Sequence, residues 1–215
     1  MKKITFYYVR HGQTLFNILG RLQGWCDSPL TEKGIADAQR ASAALAGVPF
    51  TKACSSSSPR ASRTAEIILE YHNIPLKIYD DLREFDYGML DGEKTAAIPL
   101  EDLLTRRRTG SWADVGGEDS VMICTRIRKL FESLAGQFSD NDQVLIVSHG
   151  TYAMFLMKEL LGIDLDEYRR QCSDSEQTLF PNGGIMKFAY ENGTWNVLRM
   201  PCIPESALKS KKYSQ

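Results

Sequence analysis

The stretch Ile4-Thr5-Phe6-Tyr7-Tyr8-Val9-Arg10-His11-Gly12 decides the fold. Apolar and aromatic β-formers run from Ile4 to Val9 and then stop, which reads as a buried strand. Gly12 allows a sharp turn and a close approach of backbone. In an open α/β sheet, ligands bind at the carboxyl ends of the strands, so Arg10 and His11 stand where chemistry would take place. The helix-like stretch Gln13-Thr14-Leu15-Phe16-Asn17 follows, and its free N–H groups favour an anion. The same grammar recurs in Val144-Leu145-Ile146-Val147, which ends in Ser148-His149-Gly150. Two of the three histidines thus follow a strand and precede a glycine. If these strands are neighbours in one sheet, the two imidazoles meet.

The rest of the composition sets the frame. A chain of 215 residues suits one compact domain with a sizeable core, here with a small lid-like insertion at about 88–117. Hydrophobic content of 43% and charged content of 25% are those of a soluble globular protein. A net charge of −1 argues against a nucleic-acid partner. The apolar run behind Met1-Lys2-Lys3 is too short for a signal peptide and is cut by Arg10. No stretch is long enough to span a membrane. Cys26, Cys54, Cys124, Cys172 and Cys202 show no Cys-x-x-Cys spacing, so reduced thiols and a cytoplasmic location are expected. The polar end, Lys209 to Gln215, is expected to fray.

Taken in order, Gly20 to Pro29 reads as a loop, in which Trp25 either lines a pocket or caps the core. Thr31 caps a helix whose inner face carries Ile35, Ala38, Ala41, Ser42 and Leu45. Phe50 to Ser56 reads as a second strand. A serine-rich turn then enters a helix with Pro59 in its first turn. Arg60 therefore lies near a helix N-terminus, where local sequence favours a solvated arginine; Arg63 is expected in solvent, and His72 on the surface. Leu76 to Tyr79 is a short strand. Behind it, Asp80 to Gly92 mixes aromatics, glycines and acids, as suits a loop folded onto a pocket. Glu84 is the acid most closely flanked by large side chains, and burial there makes a competent proton donor. A short helix is expected around Leu100 to Arg107. Its Arg106-Arg107-Arg108 reads either as a basic lip or as a solvated face. A longer helix has Val121, Cys124, Ile127, Phe131, Leu134 and Phe138 on its inner side. The helix after His149 is apolar on most sides and therefore central, with Gly162 at its end; Met154, Met157 and Leu161 read as core. Another short helix is expected from Ile163 to Cys172. Asn192-Gly193 joins two strand-like runs as a hairpin.

With these pieces placed, the chain resembles the histidine phosphatase superfamily, the phosphoglycerate-mutase-like proteins. The resemblance is carried by Arg10-His11-Gly12-Gln13-Thr14 with Asn17, by Gly24-Trp25-Cys26-Asp27-Ser28-Pro29-Leu30-Thr31-Glu32-Lys33-Gly34, and by Ser57-Ser58-Pro59-Arg60-Ala61-Ser62-Arg63-Thr64-Ala65. Leu82-Arg83-Glu84 with Gly88 and Ser148-His149-Gly150 complete it. It implies an α/β fold of three layers, α/β/α, with a mostly parallel central sheet. It also moves Arg60 from solvent to the site. By the same resemblance His11 is the nucleophile that becomes a phosphohistidine, His149 stabilises the phosphoryl group in flight, and Glu84 is the general acid and base. Arg10 and Arg60 bind the phosphate oxygens, with Asn17, Gln23, Gly24 and Gly150 as further substrate-binding positions. Phosphoryl transfer asks mainly for positioning and charge neutralisation. With these cations built in, no metal and no cofactor is expected.

The expected partner is a small phosphorylated metabolite, and a homodimer is left open. Two activities compete. Mutases return the phosphoryl group to the product and resemble longer chains, with an insertion rich in lysine, tryptophan and arginine after the acid. The short segment Gly88-Met89-Leu90-Asp91-Gly92-Glu93 looks more like the phosphatase branch. A phosphate-binding module without turnover is a third reading, disfavoured because all five polar positions (Arg10, His11, Arg60, Glu84 and His149) are present.

Overall fold

The computed structural model describes residues 1–172 and 179–204. In chain order these form β1 (Lys3–Arg10), α1 (Leu15–Ile18), α2 (Glu32–Leu45), β2 (Lys52–Ser56), α3 (Pro59–Leu69), β3 (Leu76–Tyr79), α4 (Leu100–Thr109), α5 (Ser120–Gln137), β4 (Gln143–Ser148), α6 (Gly150–Glu159), α7 (Leu165–Gln171), β5 (Ile185–Glu191) and β6 (Thr194–Cys202). The strands make one sheet in the order β3-β2-β4-β1-β5-β6. β3, β2, β4 and β1 run parallel; β5 pairs antiparallel with β1, and β6 antiparallel with β5. The expected α/β fold with a mostly parallel sheet is present.

Both faces of the central strands are covered, which explains their near-continuous apolar sequence. Ile4, Phe6, Tyr8, Val144 and Ile146 pack on the side of Ile123, Ile127, Phe131 and Leu134 of α5, with Tyr152 and Leu156 of α6. Val9, Leu145 and Val147 point the other way, to Ala41 and Leu45 of α2 and to Ala61, Ala65 and Ile68 of α3. The alternation is the strand's period of two read through a sheet with helices on both faces. Parallel pairing of Arg10 with Ser148 then sets His11 and His149 side by side at the carboxyl ends of the two central strands.

Several local expectations shift. β2 begins at Lys52 rather than Phe50. Ile35 is exposed, because α2 buries the face carrying Gly34, Asp37, Ala38, Ala41, Ser42 and Leu45. Val121 is likewise exposed; α5 turns Ile123, Ile127, Leu130, Phe131, Leu134 and Ala135 inward. His72 is half-buried against the Phe50 ring instead of standing on the surface. The helix at 100 extends to Thr109, where Gly110 closes it at φ +64°. The hairpin turn is made by Asn192 and Gly193, both at positive φ. The expected fraying of 209–215 lies outside the described residues.

The 88–117 segment is not a loose flap. Ile98, Leu103 and Trp112 are buried in the main core. Gly88, at φ +58°, sits so close to the 115–117 backbone that a Cβ would meet the Val115 carbonyl oxygen at 2.2 Å.

Candidate active site

His11 follows the last residue of β1 and is 4% exposed. Its backbone N–H donates to the Ser148 carbonyl at 3.0 Å. Its ring Nδ1 lies 2.8 Å from the Gly12 carbonyl oxygen. A carbonyl only accepts, so Nδ1 carries the proton and the Nε2 lone pair is left for a reacting atom. Burial, then the Arg60 and Arg10 charges, hold this imidazole well below the usual histidine range. The ring is therefore neutral, as a nucleophile must be.

His149 is fully buried and ends β4 as the residue before α6. Its ring lies 5.2 Å from that of His11, at an edge-on angle of 63°. Nε2 meets the Ser56 hydroxyl at 2.8 Å, and Nδ1 has no hydrogen-bond partner among the described residues. The Tyr8 hydroxyl clamps its main chain, donating to the His149 carbonyl at 2.8 Å and accepting from its N–H at 3.1 Å. Burial first, then Arg60, His11 and Arg10, push this histidine too well below its ordinary value. Without an anion the pair is thus neutral, although two arginines stand beside it.

Glu84 is 5% exposed. Its Oε1 accepts the Tyr152 N–H at 2.7 Å and the Phe85 N–H at 2.9 Å, and its Oε2 accepts the Thr151 N–H at 3.0 Å. Two of these donors are free N–H groups of the first turn of α6, where a carboxylate is favoured by the helix dipole. Oε2 keeps a lone pair for a proton. The Glu84 carbonyl is held from the other side by Trp25 Nε1 and Arg126, each at 3.0 Å. Trp25 is therefore neither a pocket wall nor a core cap: it ties the 25 loop to Glu84, with the Arg83 guanidinium 4.1 Å from its ring.

One cavity of about 650 Å³ collects Arg10, His11, Gln13, Asn17, Gln23, Glu84, Arg107, Gly150 and Asn182. Arg10 Nη1 donates to the Phe180 carbonyl at 2.6 Å. Gly150 lies against this guanidinium; a Cβ there would meet Arg10 Nε at 3.0 Å. Asn17 closes the α1 cap, its Oδ1 accepting the Thr14 N–H. Gln23 is on the wall, but its amide is engaged inside the protein, with the Thr14 hydroxyl donating at 2.6 Å and its own Nε2 donating to Ser28.

Two expected contact residues stand behind the wall. Arg60 is 1% exposed. It donates to the Cys26, Gly24 and Gln23 carbonyls and to Asp27 Oδ1, and among the described residues Nε has no hydrogen-bond partner. Its fork is spent on the 23–27 loop, so it adds field to the site rather than two free donors. Gly24 has its N–H on Asp91 Oδ1 and its carbonyl on Arg60, which leaves no backbone donor for a ligand. The site also contains residues that sequence reading passed over. Ser56 was one serine in a run of four. Asn182 donates to the His11 carbonyl at 2.9 Å from 171 residues away, a contact no local pattern signals. The arginine triplet divides: Arg106 is paired with Asp114 and Asp102, whereas Arg107 reaches the cavity.

The site combines a neutral, buried imidazole with a free Nε2, a second imidazole beside it, an anchored carboxyl group and flanking guanidinium groups. Such a set can accept, hold and pass on a phosphoryl group. The chain is 34% identical over 160 residues to the 2,3-bisphosphoglycerate-dependent phosphoglycerate mutase 2 of Gloeobacter violaceus, covering 71% of this chain and 73% of that one. It is 32% identical over 168 residues to the Erwinia tasmaniensis protein named "Probable phosphoglycerate mutase GpmB", covering 76% and 78%. Among solved structures, the Bacillus anthracis phosphoglycerate mutase superposes with a TM-score of 0.75 at 28% identity, covering 93% of each chain. The mycobacterial glucosyl-3-phosphoglycerate phosphatase gives a TM-score of 0.78 at 25% identity, covering 93% of this chain and 99% of that one. The family profile described as histidine phosphatase superfamily (branch 1) matches residues 6–202. A profile that spans nearly the whole chain settles the kinship: the chain belongs to the histidine phosphatase superfamily.

Proposed function

We propose that this protein is a phosphomonoester hydrolase that acts on a small phosphorylated metabolite through a phosphohistidine at His11. The observation that carries this reading is the His11 ring itself, with Nδ1–H fixed on the Gly12 carbonyl and Nε2 left free. Nε2 attacks phosphorus, the bond from phosphorus to the ester oxygen breaks, and Glu84, protonated, gives its proton to that oxygen. The carboxylate formed is stabilised by three N–H groups. It then takes a proton from the water that attacks the phosphohistidine; the bond from His11 Nε2 to phosphorus breaks, inorganic phosphate leaves, and His11 returns neutral with Glu84 protonated for the next cycle. His149 stands beside the path of the phosphoryl group, and an arriving anion favours its protonated form. Arg10 supplies fixed positive charge, and Arg60 adds field from behind the wall.

Hydrolysis is favoured over mutase chemistry because the segment after Glu84 is short and its tight Gly88 packing leaves it little reach. The mutase names of several relatives make isomerisation the second reading. Incubation with 3-phosphoglycerate decides between them. Release of inorganic phosphate faster than formation of 2-phosphoglycerate is expected; rapid isomerisation primed by a bisphosphorylated glycerate would overturn the hydrolase. His11→Ala should abolish turnover, and quenched wild-type enzyme should carry acid-labile phosphate on His11.

A further inference from the structure

Next to the phosphate cavity lies a second one of about 520 Å³. The two share Leu22, Tyr87, Arg107, Thr151, Met154 and Arg169, so they form one continuous space with two compartments. None of the five polar positions in the proposed chemistry lines the second compartment. Half-buried Tyr87, Met154, Phe155 and Leu165 form its wall, and buried Phe85 and Trp112 close its floor. The rings are locked to one another: Phe85 stacks on Phe155 at 5.6 Å and Tyr87 meets Trp112 edge-on at 4.9 Å. The Tyr87 hydroxyl is tied to Thr151 at 2.8 Å, which fixes this ring at the junction. A preformed aromatic wall is a surface for a flat apolar group, with little ordering cost on binding.

Its charge is one-sided. Among the described lining residues five are cations, namely Arg106, Arg107, Arg108, Lys158 and Arg169, and none is acidic. Arg106 is neutralised by Asp102 and Asp114, and Arg169 by Asp166. Arg107, Arg108 and Lys158 are exposed and have no ion pair among the described residues. Three cations without an ion pair among the described residues, around an apolar slot in a chain of net charge −1, mark a place for an anionic group at the end of an apolar body.

We propose that the substrate is a phosphomonoester with a flat apolar body that carries a second anionic group. Its phosphoryl group sits at His11, its ring lies against Tyr87 and Phe155, and its second anion meets Arg107, Arg108 and Lys158. This rests on the reading of the His11 cavity as the phosphoryl site. It does not depend on whether water or product finally receives the group.

Phosphonates, which are not hydrolysed, test binding apart from turnover. Dissociation constants of methylphosphonate, phenylphosphonate and 4-carboxyphenylphosphonate are measured by calorimetry on the full chain. Phenyl should tighten binding over methyl by roughly tenfold, the scale of burying an aromatic face. The carboxylate should add a further gain of roughly fivefold that shrinks with added salt. Phe155→Ala should collapse the phenyl-to-methyl ratio, and Arg108→Ala with Lys158→Ala should collapse the carboxyphenyl-to-phenyl ratio. Each ratio is internal to one variant, so a loss of stability does not imitate it. Equal binding of methyl and phenyl, a carboxylate without effect, or ratios that survive the substitutions would each overturn the proposal. If the ratios behave as expected but no phosphate is released from the matching phosphate ester, the hydrolase reading fails and this one stands.

Discussion

At the scale of single residues, the site works by arranging what its imidazoles and carboxyl group are denied. His11 and His149 are denied water, and both are held well below the ordinary histidine range by burial and neighbouring guanidinium charge. Below about pH 6.5 the unfolded chain binds protons at these positions that the folded chain refuses. Their contribution therefore costs stability as pH falls, and loss of stability on acidification should be shallower in His149→Asn than in wild type; parallel melting curves between pH 5 and 7 check this. A bound anion reverses the sense at His149. Sulfate keeps its charge across this range, so any change of affinity reports the protein. Its binding should tighten as pH falls from 8 to 5.5, by up to about tenfold per pH unit where one proton is taken up. A flat profile would mean that no histidine protonates on binding. Glu84 is tested by leaving group. General acid catalysis is worth about 10² to 10⁴, so Glu84→Gln should lose most of that factor in single-turnover phosphohistidine formation from an alkyl phosphate. It should lose far less with p-nitrophenyl phosphate, whose leaving group needs no proton. Equal losses would make Glu84 structural.

At the scale of elements, the functional side chains are held by contacts that tie one segment to another. Arg126 of α5 donates to the Asp81, Arg83 and Glu84 carbonyls at 2.7–3.0 Å and to both oxygens of Glu118 at 2.8 Å. Glu118 in turn accepts the Asp86 N–H. The Glu84 loop is thus pinned to a helix face by a buried ion pair. Arg126→Met leaves the Glu118 charge without its partner, and breaking such a pair costs about 3–5 kcal/mol; chemical denaturation measures it. The α2 entrance is tied as closely: a Cβ on Gly12 would stand 2.1 Å from the Gly34 carbonyl oxygen. Gly12→Ala should destabilise by on the order of 3 kcal/mol, because only backbone is there to move. These ties explain what the sequence disclosed and what it hid. Strand-end histidines announce themselves, since a run of β-formers followed by His-Gly is local. Helix faces are legible to within one residue of phase, which is why periodicity puts Ile35 and Val121 inside while the fold leaves both exposed. Arg60 is buried rather than solvated, yet which atoms its guanidinium touches depends on a loop 33 to 37 residues away. Glu118 read as a turn residue because its partner lies a helix turn beyond any local pattern.

At the scale of the whole molecule, the site is the place where β1, β2, β4 and the 80–92 loop end together. That arrangement was legible as an α/β fold with a mostly parallel sheet. Asn182 and Phe180, which close the cavity, follow none of the local patterns and enter only through the return of the chain to β5. Among the described residues no helix is long and apolar enough to cross a membrane. If the charge needed at the phosphate comes from the chain's own guanidinium and imidazole groups, prolonged chelation should leave turnover unchanged. Activity lost to chelator and restored by added zinc or magnesium would count against the proposed mechanism.

The sheet order carries a consequence for biosynthesis. β4 lies between β1 and β2, although it leaves the ribosome after both and after five of the helices. A nascent chain that has emerged only as far as α5 has the two strands that must flank a slot, but nothing to fill it. β1 and β2 cannot pair with each other without excluding the strand that carries His149. The cavity therefore cannot form gradually along the emerging chain; it waits for β4 to thread into place, and then for α6 and the 180–182 turn to close around Glu84, Arg10 and His11. Contacts this distant make that step slow and leave strand edges open until it is done. A chain stalled before β4 would be prone to stick to its neighbours, and substrate could not rescue it, because the pocket that binds substrate would not yet exist.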